Sequence, residues 1–213
     1  MGTALIVVDV QNDFMPGGNL AVPDGASILH NVRRLQERGR YSHVVFTKDW
    51  HPPDHVSFAS THGRRPFVDV LRRRSRRPQA LWPDHCIQGT VGAELHPMAV
   101  SPALESYHII TKGHRVGADS YSAFFDNDRV DPTPLHAKLR RLGVDTVHVC
   151  GLATDVCVIH TALDALKLGY AATIIHDAAA GVDPENTRAR LAQFERSGGK
   201  VETTQKILRR SRK

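Results

Sequence analysis

Short runs of apolar, β-branched residues alternate along the chain with stretches in which apolar residues recur every three or four positions. The first pattern is typical of strands and the second of amphipathic helices. Six strands are predicted, over residues 4–8, 43–47, 108–111, 146–150, 172–175 and 200–203. Four helices are predicted, over residues 27–38, 134–142, 155–168 and 184–197. This alternation predicts an α/β fold, a three-layer α/β/α domain with a mostly parallel six-stranded sheet.

Length and composition indicate one domain over residues 1–213, since no repeat, low-complexity linker or change of composition divides the chain. The chain is long enough to bury a core without disulfides, and its three cysteines form no CxxC pair. Its apolar runs are far shorter than the roughly 18 residues of a membrane span, and its N-terminus does not match a signal peptide. We therefore expect a cytoplasmic protein with no membrane partner.

The formal net charge of +6 comes from two short segments. Five arginines lie in a run at 72–77, and four further basic residues lie at 209–213, at the end of a tail over residues 204–213. Without these nine residues the chain has 19 basic and 22 acidic residues. Both segments lack interleaved aromatic residues, so we expect peripheral, solvated segments and no nucleic-acid partner; a polyanion-docking patch is the alternative.

Polar residues stand immediately after the predicted strands. Asp9 follows the first strand, Asp49 and His51 follow the second, Lys112 follows the third, and Cys157 belongs to the segment after the fourth. Because parallel sheets bind ligands beyond the carboxyl ends of their strands, we expect these five side chains to meet at one edge.

Cys157 is predicted to lie in the first turn of a helix that Thr154 or Asp155 caps. There the helix dipole, together with Lys112, would lower the pKa of the thiol and favour the thiolate. A nucleophilic thiol also needs a base, and Asp9 can take that role.

Two alternatives to this interpretation of Cys157 remain open. One is a Cys-His pair with His108 or His114, which both lie near Lys112 in the sequence. The other is a buried structural cysteine, which is the role that we expect for Cys150 inside its predicted strand.

A second set of polar residues has the spacing of a metal site. Proline at 52 favours extended backbone at His51, so Asp49 and His51 project the same way, with His55 four residues later. His85 is the best further candidate in the long excursion of residues 50–107. Carboxylate and imidazole ligands suit Zn, Fe or Mn; with 13 histidines in the chain, chance clustering is the alternative.

Six segments together resemble the nicotinamidases, which belong to the isochorismatase-like cysteine hydrolases. They occur in the expected order over almost the whole chain: Asp9-Val10-Gln11-Asn12-Asp13-Phe14, Lys48-Asp49-Trp50-His51-Pro52, Trp82-Pro83-Asp84-His85-Cys86, Lys112-Gly113, Asp119-Ser120-Tyr121-Ser122-Ala123-Phe124-Phe125 and Gly151-Leu152-Ala153-Thr154-Asp155-Val156-Cys157.

This resemblance implies a role for each matched position. The catalytic triad falls on Asp9, Lys112 and Cys157. The metal ligands fall on Asp49, His51 and His85, with His55 at a position that only some members use. Substrate-binding positions fall on Phe14, Trp82 and Leu152. The backbone N–H groups of Ala153 and Cys157 match the oxyanion hole, and the Leu152–Ala153 peptide bond matches one that is cis in the family.

The resemblance further implies hydrolysis of nicotinamide to nicotinate and ammonia through a thioester, with one divalent metal ion (Zn, Fe or Mn). It also implies a place in NAD salvage and activity on pyrazinamide. The alternatives are a cysteine amidase for another small amide, a non-catalytic interaction module of the same fold, and a metal storage or sensor protein. Whether the chain forms a homo-oligomer is left open.

Overall fold

A computed structural model of the protein describes residues 2–72 and 78–210. Most of the arginine run at 72–77 and the last three residues of the tail lie outside the described residues. The strands are β1 Gly2–Val8, β2 His43–Asp49, β3 Val70–Leu71, β4 Gln79–Ala80, β5 His108–Lys112, β6 Val144–Leu152, β7 Ala171–Ala180 and β8 Lys200–Glu202. The α-helices are α1 Leu29–Arg38, α2 Leu135–Arg141, α3 Ile159–Lys167, α4 Pro184–Arg196 and α5 Thr204–Arg210.

The central sheet has six strands in the order β5-β2-β1-β6-β7-β8, and every neighbouring pair is parallel. This confirms the predicted α/β fold with a six-stranded parallel sheet. Strand β1 lies in the middle and is buried on both faces, as is typical of a central parallel strand. Ala4, Ile6 and Val8 face one core cluster and Leu5 and Val7 the other.

Helices cover both faces of the sheet and give three layers. On one face, α1 buries Leu29, Val32 and Leu35 at helical spacing. On the other face, α2, α3 and α4 supply residues such as Leu139 and Phe194 to the second cluster. Helix α4 begins where predicted: the side chain of Asp183 accepts a hydrogen bond from the N–H of Asn186 at 2.6 Å. In the described part of the chain, no helix has the length and apolar character needed to cross a membrane.

The strand order changes direction beside β1. The chain runs outward from β1 to β2 and β5, and then returns to the other side of β1 to build β6, β7 and β8. Connections leave the carboxyl ends of β1 and β6 in opposite directions and open a crevice between them. Asp9 directly follows β1, and the segment with Cys157 directly follows β6.

The long excursion between β2 and β5 folds back onto this crevice. It contains the short β3–β4 hairpin and single 3-10 turns at Ser60–His62 and Val91–Ala93. The backbone N–H of His51 donates to the carbonyl of Cys86 at 3.0 Å, and Gln88 N–H donates to the carbonyl of His51 at 2.8 Å. These hydrogen bonds bring His85 to the end of β2.

The tail predicted at 204–213 is not peripheral over its first seven residues. Residues Thr204–Arg210 form helix α5, in which Thr204, Ile207 and Leu208 are buried. Ile207 and Leu208 join the same core cluster as α1. The sequence pattern does not reveal this helix. Its apolar side chains at 207 and 208 are adjacent and too few to give a helical period, and basic residues flank them.

Packing of α5 is tested by shortening one of its buried side chains. We expect Ile207→Ala to lower the free energy of unfolding by about 2–4 kcal/mol, since it leaves a cavity in the core. Urea unfolding followed by circular dichroism measures this loss. Arg209→Ala, on the exposed side of the same helix, is the control and should stay within about 0.5 kcal/mol of the parent; equal effects would contradict the packed helix.

Candidate active site

The ammonium group of Lys112 lies at the centre of the candidate site. Lys112 ends β5 and is fully buried. Its Nζ donates to Asp49 Oδ1 at 2.5 Å and to the carbonyl of Ser120 at 2.9 Å, and it forms an ion pair with Asp9 Oδ2 at 2.8 Å. Cys157 Sγ lies 3.4 Å from the same atom. Burial lowers the pKa of Lys112, but the two carboxylates outweigh it and hold the pKa well above its usual value, so the group stays charged.

Asp9 is held rigidly at the end of β1, with a backbone φ of 49°. The hydroxyl of Thr47 donates to Asp9 Oδ1 at 2.6 Å and accepts from the N–H of Asp9 at 3.1 Å. Burial raises the pKa of Asp9 to about 6, although Lys112 acts in the opposite direction. A carboxyl group with a pKa near neutrality can both accept and return a proton.

Cys157 is a protonated thiol in this site rather than a thiolate. Burial raises its pKa well above the usual value and outweighs the lowering by Lys112, and the nearby Asp9 and Asp49 raise it further. Lys112 does lower the pKa of this thiol, as predicted, but burial and the two carboxylates outweigh it, so the predicted net lowering is wrong. Side-chain atoms of Asp9, Asp49 and Cys157 lie within 4.8 Å of one another, so a base is in reach of the thiol.

The turn that carries Cys157 is π-helical and spans Thr154–Val158, directly before α3. It begins after Ala153, and the Leu152–Ala153 peptide bond is cis, as the resemblance implies. The expected cap by Thr154 or Asp155 is wrong: no side chain of the described residues caps this turn or α3, and the carboxylate of Asp155 accepts hydrogen bonds from the backbone of the distant β7–α4 loop. The wider π-turn places Cys157 at the crevice.

Asp49, His51 and His85 form a buried group whose candidate ligand atoms all lie within 4.8 Å of one another. Asp49 Oδ2 lies 3.7 Å from His51 Nε2 and 4.0 Å from His85 Nε2. One carboxylate oxygen and two imidazole nitrogens are a donor set that divalent Zn, Fe and Mn accept. These residues therefore fit a divalent metal ion.

Backbone carbonyls orient both imidazoles towards this point. His51 Nδ1 donates to the carbonyl of Gly113 at 2.8 Å, and His85 Nδ1 donates to that of Pro83 at 2.7 Å. Each Nε2 is thereby left as a lone-pair donor, and His51 Nε2 is buried without a hydrogen-bond partner in the described ranges. Gly113 permits this approach, since a Cβ there would lie 2.4 Å from His51 Cε1. Burial lowers the pKa of His85 to about 4, which keeps the ring neutral, as a ligand must be.

His55 stands beside the metal group in a different arrangement. Its ring stacks on that of His51, with 4.1 Å between the ring centroids. The Ser57 hydroxyl lies 2.7 Å from Nδ1 and the Ala118 carbonyl 3.3 Å from Nε2. Ligand atoms of His51, His55 and Asp119 also lie within 4.8 Å of one another. In this arrangement His55 packs against His51, and both of its ring nitrogens have contacts outside the group formed by Asp49, His51 and His85.

An open cavity, lined by Cys157, Asp49 and His85 among others, joins the thiol to the metal group. Of the residues predicted for the site, six line it: Phe14, Asp49, Trp82, His85, Ala153 and Cys157. Leu152, predicted to bind substrate, is fully buried in the core cluster on the α1 face and does not line the cavity. The alternation of β6 turns its side chain into the sheet face.

Sequence reasoning missed several side chains that support the site. Thr47 holds Asp9, and Gln11 brackets Asp49: its Oε1 accepts from the Asp49 N–H and its Nε2 donates to the Asp49 carbonyl, both at 2.8 Å. The hydroxyl of Tyr121 accepts from Trp82 Nε1 at 3.2 Å and thereby steadies a cavity wall. Gln11 and Tyr121 occur in the segments that carry the resemblance, whereas Thr47 gives no signal beyond its place near a strand end.

The fold and the site together define the class: a parallel α/β protein with a buried cysteine, a lysine and two carboxylates grouped at the carboxyl edge of its sheet. The chain belongs to the isochorismatase family, since the model of the Isochorismatase domain matches residues 3–206.

Among characterised relatives, the chain is similar to the nicotinamidase of Acinetobacter baylyi, with 47% identity over 181 residues, 84% of this chain and 82% of that protein. It is 43% identical over 206 residues to the nicotinamidase of Escherichia coli, covering 94% of each protein.

Solved structures give the same result. The chain matches a nicotinamidase/pyrazinamidase of Acinetobacter baumanii with a TM-score of 0.90 and 42% identity, over 97% of this chain and 98% of that one. It matches a protein of L. infantum in complex with nicotinate (TM-score 0.83, 35% identity, 96% and 93%) and the zinc complex of a pyrazinamidase of Pyrococcus horikoshii (TM-score 0.76, 37% identity, 95% and 99%).

The metal group is tested by zinc binding to chelator-stripped protein. We expect the parent to bind one equivalent of zinc and His85→Ala to bind it at least about 100-fold more weakly, because a ligand atom is lost. Competition with a coloured chelator measures the affinity. The control is His30→Ala, an exposed histidine of α1, which should bind zinc as the parent does.

For His55 we expect that a substitution does not weaken zinc binding. His55→Phe keeps a ring against His51 but removes both nitrogens, so we expect its zinc affinity to stay within about threefold of the parent, far from the effect of losing a ligand. A loss as large as that of His85→Ala would show that His55 is a fourth ligand.

Proposed function

We propose that this protein is a metal-dependent nicotinamidase, a cysteine amidohydrolase that converts nicotinamide to nicotinate and ammonia. One observation carries the proposal: Lys112 Nζ lies within hydrogen-bonding distance of Asp9, Asp49 and Cys157, so that one buried cation joins the nucleophile to the metal group. The named activities of the relatives and the nicotinate complex of the L. infantum protein support the substrate class.

The protonation of the site suits nucleophilic amide hydrolysis. With a pKa of about 6, Asp9 is mostly a carboxylate at neutral pH, whereas the thiol of Cys157 is protonated. Asp9 accepts the thiol proton as sulfur attacks the carboxamide carbon. The C–N bond then breaks, and the proton on Asp9 passes to the departing nitrogen to give ammonia.

Hydrolysis of the resulting thioester completes the turnover. Asp9, again a carboxylate, accepts a proton from a water molecule, whose oxygen attacks the acyl carbon. The C–S bond breaks, the proton on Asp9 returns to the sulfur of Cys157, and the nicotinic acid that forms gives its carboxyl proton to solvent and leaves as nicotinate. In both halves the backbone N–H groups of Ala153 and Cys157 are proposed to stabilise the negative oxygen, and Lys112 stabilises the thiolate.

Asp49, His51 and His85 are the residues proposed to hold the metal ion. A divalent ion bound there supplies a Lewis-acidic anchor for the pyridine nitrogen. Zinc, iron and manganese all suit this donor set, and the zinc complex of the Pyrococcus horikoshii protein supports zinc. Phe14 and Trp82 are proposed to contact the two faces of the ring from the cavity wall; Leu152 has no such role in the proposal, since its side chain lies in the core.

The proposal also includes a second substrate and a metabolic role for the reaction. Pyrazinamide has the same carboxamide on a similar ring, so we include it among the substrates, as the names of the relatives suggest. The reaction would serve NAD salvage in the cytoplasm, where the three free cysteines can stay reduced.

Ammonia release from nicotinamide tests the function. We expect release by the parent with zinc, iron or manganese, and a fall of at least about a thousandfold in Cys157→Ala, because the nucleophile is removed. Chelation should abolish the activity and a metal should restore it. Cys150→Ala is the matched control, since it removes a buried sulfur from β6 without touching the cavity.

Two results would count against the proposal. No release under any metal would exclude nicotinamide, and a panel of other small amides would then identify an amidase of different specificity. Release that persists in Cys157→Ala would mean that the nucleophile is wrongly assigned.

The pH dependence of kcat/KM tests Asp9 as the base. The base acts only when deprotonated, so activity should fall as the pH drops below the Asp9 pKa of about 6. Thr47→Val removes a hydrogen bond that stabilises the carboxylate, which raises this pKa. The acidic limb of the profile should therefore move to higher pH, by about 0.5–1 pH unit.

Thr173→Val, at a buried position of β7, controls for the loss of a hydroxyl from the sheet. It should leave the limb in place. An acidic limb that does not move in Thr47→Val would remove Asp9 from the role of base.

A further inference from the structure

The carboxylate of Asp155 joins the turn that carries Cys157 to the loop between β7 and α4. Asp155 is 5% exposed. Its Oδ1 accepts from the N–H of Val182 at 2.9 Å, and its Oδ2 accepts from the N–H of Asp183 at 3.0 Å and from Asn186 Nδ2 at 3.3 Å. Hydrogen bonds to a buried carboxylate are charge-assisted and stronger than those between neutral groups. Asp155 thus binds the backbone of a segment 27 residues away.

Residue 181, in the loop, is a glycine that passes close to the carboxylate of Asp155. A Cβ at Gly181 would lie 2.0 Å from Thr187 Oγ1 and 3.0 Å from Asp155 Oδ1. The Thr187 side chain can rotate away, whereas the contact with Asp155 would require the carboxylate or the loop to shift by a few tenths of an ångström. We call this contact between the carboxylate of Asp155 and the loop at Gly181–Asp183 the clasp.

The clasp fixes a wall of the cavity. Val156, Cys157 and Val182 all line the cavity, and Val182 is held through its own backbone N–H. We propose that Asp155 is a positioning residue that holds Val182 against the nucleophile turn and so sets the width of the cavity for the substrate ring. This inference rests on the proposed function in so far as the ring is that of nicotinamide.

The geometry separates this role from stabilisation of α4. The helix has its own cap, because the side chain of Asp183 accepts from the N–H of Asn186 at 2.6 Å. In Asp155→Asn, one oxygen becomes an NH₂ group that faces a backbone N–H, so one hydrogen bond is lost and two donors oppose each other. We expect the loop at Val182 to loosen while Asp9, Lys112 and Cys157 keep their contacts.

Hydrogen–deuterium exchange measures the clasp without any substrate. In Asp155→Asn, a peptide covering residues 179–186 should exchange at least about tenfold faster than in the parent, with no change in peptides from β1 or β6. Asp183→Asn, which removes a charge from the same loop but keeps a capping side chain, should leave exchange at residues 179–183 close to that of the parent. Equal exchange in the parent and Asp155→Asn would overturn the proposal.

Steady-state kinetics measures the consequence for the substrate. We expect Asp155→Asn to raise KM for nicotinamide at least about fivefold with kcat within about twofold, since the triad is untouched. Val182→Ala should raise kcat/KM for at least one ring-methylated nicotinamide relative to kcat/KM for nicotinamide. Asp155→Asn should raise the same ratio for the same compound. Asp183→Asn should show neither effect. A fall in kcat with KM unchanged, or a methyl preference altered in Val182→Ala but not in Asp155→Asn, would refute the positioning role.

If the proposed function is wrong, the results differ from those that would refute the role of Asp155. If the parent hydrolyses no nicotinamide, the kinetic experiment is repeated with the amide that the parent does accept, whereas the exchange result stands unchanged. Gly181→Ala is the second variant: it should open the same clasp from the other side and reproduce the exchange and KM changes of Asp155→Asn. A Gly181→Ala protein with parental exchange and KM would contradict the clasp.

Discussion

One buried ammonium group holds the two halves of the site together. Lys112 ends the strand at the sheet edge, and its Nζ is shared between Asp9 at the end of β1 and Asp49 at the end of β2. Removing one partner of such a buried ion pair typically costs about 3–5 kcal/mol, because an uncompensated charge is left behind. The cation therefore fixes the distance between the thiol of Cys157 and the metal group, and the chemistry that we propose depends on that distance.

The same cation leaves its two carboxylates with different properties. For Asp49, burial would raise the pKa, but the ammonium group of Lys112 acts against it and the pKa stays well below its usual value, so the group is ionised, as a metal ligand should be. For Asp9, burial outweighs Lys112, and the pKa rises to about 6. Pairs of carboxyl groups whose environments separate their pKa values commonly divide the work of a site. In the mechanism that we propose, Asp49 stays ionised while Asp9 accepts and returns protons.

Much of the site can be predicted without the tertiary structure. Asp9, Lys112 and Cys157 are identified by their places after predicted strands, because the carboxyl ends of parallel strands meet at one edge. Asp49 and His51 are identified by the geometry of an extended segment. His85 can only be a candidate, since it lies in a long excursion whose path is set by hydrogen bonds such as that of His51 N–H to the Cys86 carbonyl. Helix α5 is missed because basic residues surround its two buried apolar side chains.

By itself the sequence determined the order of strands and helices, the parallel sheet and the residues at its carboxyl edge, since these depend on local periodicity and on the residue types directly after each strand. Only the tertiary structure decided the protonation of Cys157 and the partner of Asp155. The thiol pKa depends on burial and on charges from three other strands, which no local pattern contains. Asp155 has the sequence position of a helix cap. Its actual partner is the backbone of Val182, which approaches the carboxylate beside Gly181, where no side chain stands in the way. No local sequence pattern contains that approach.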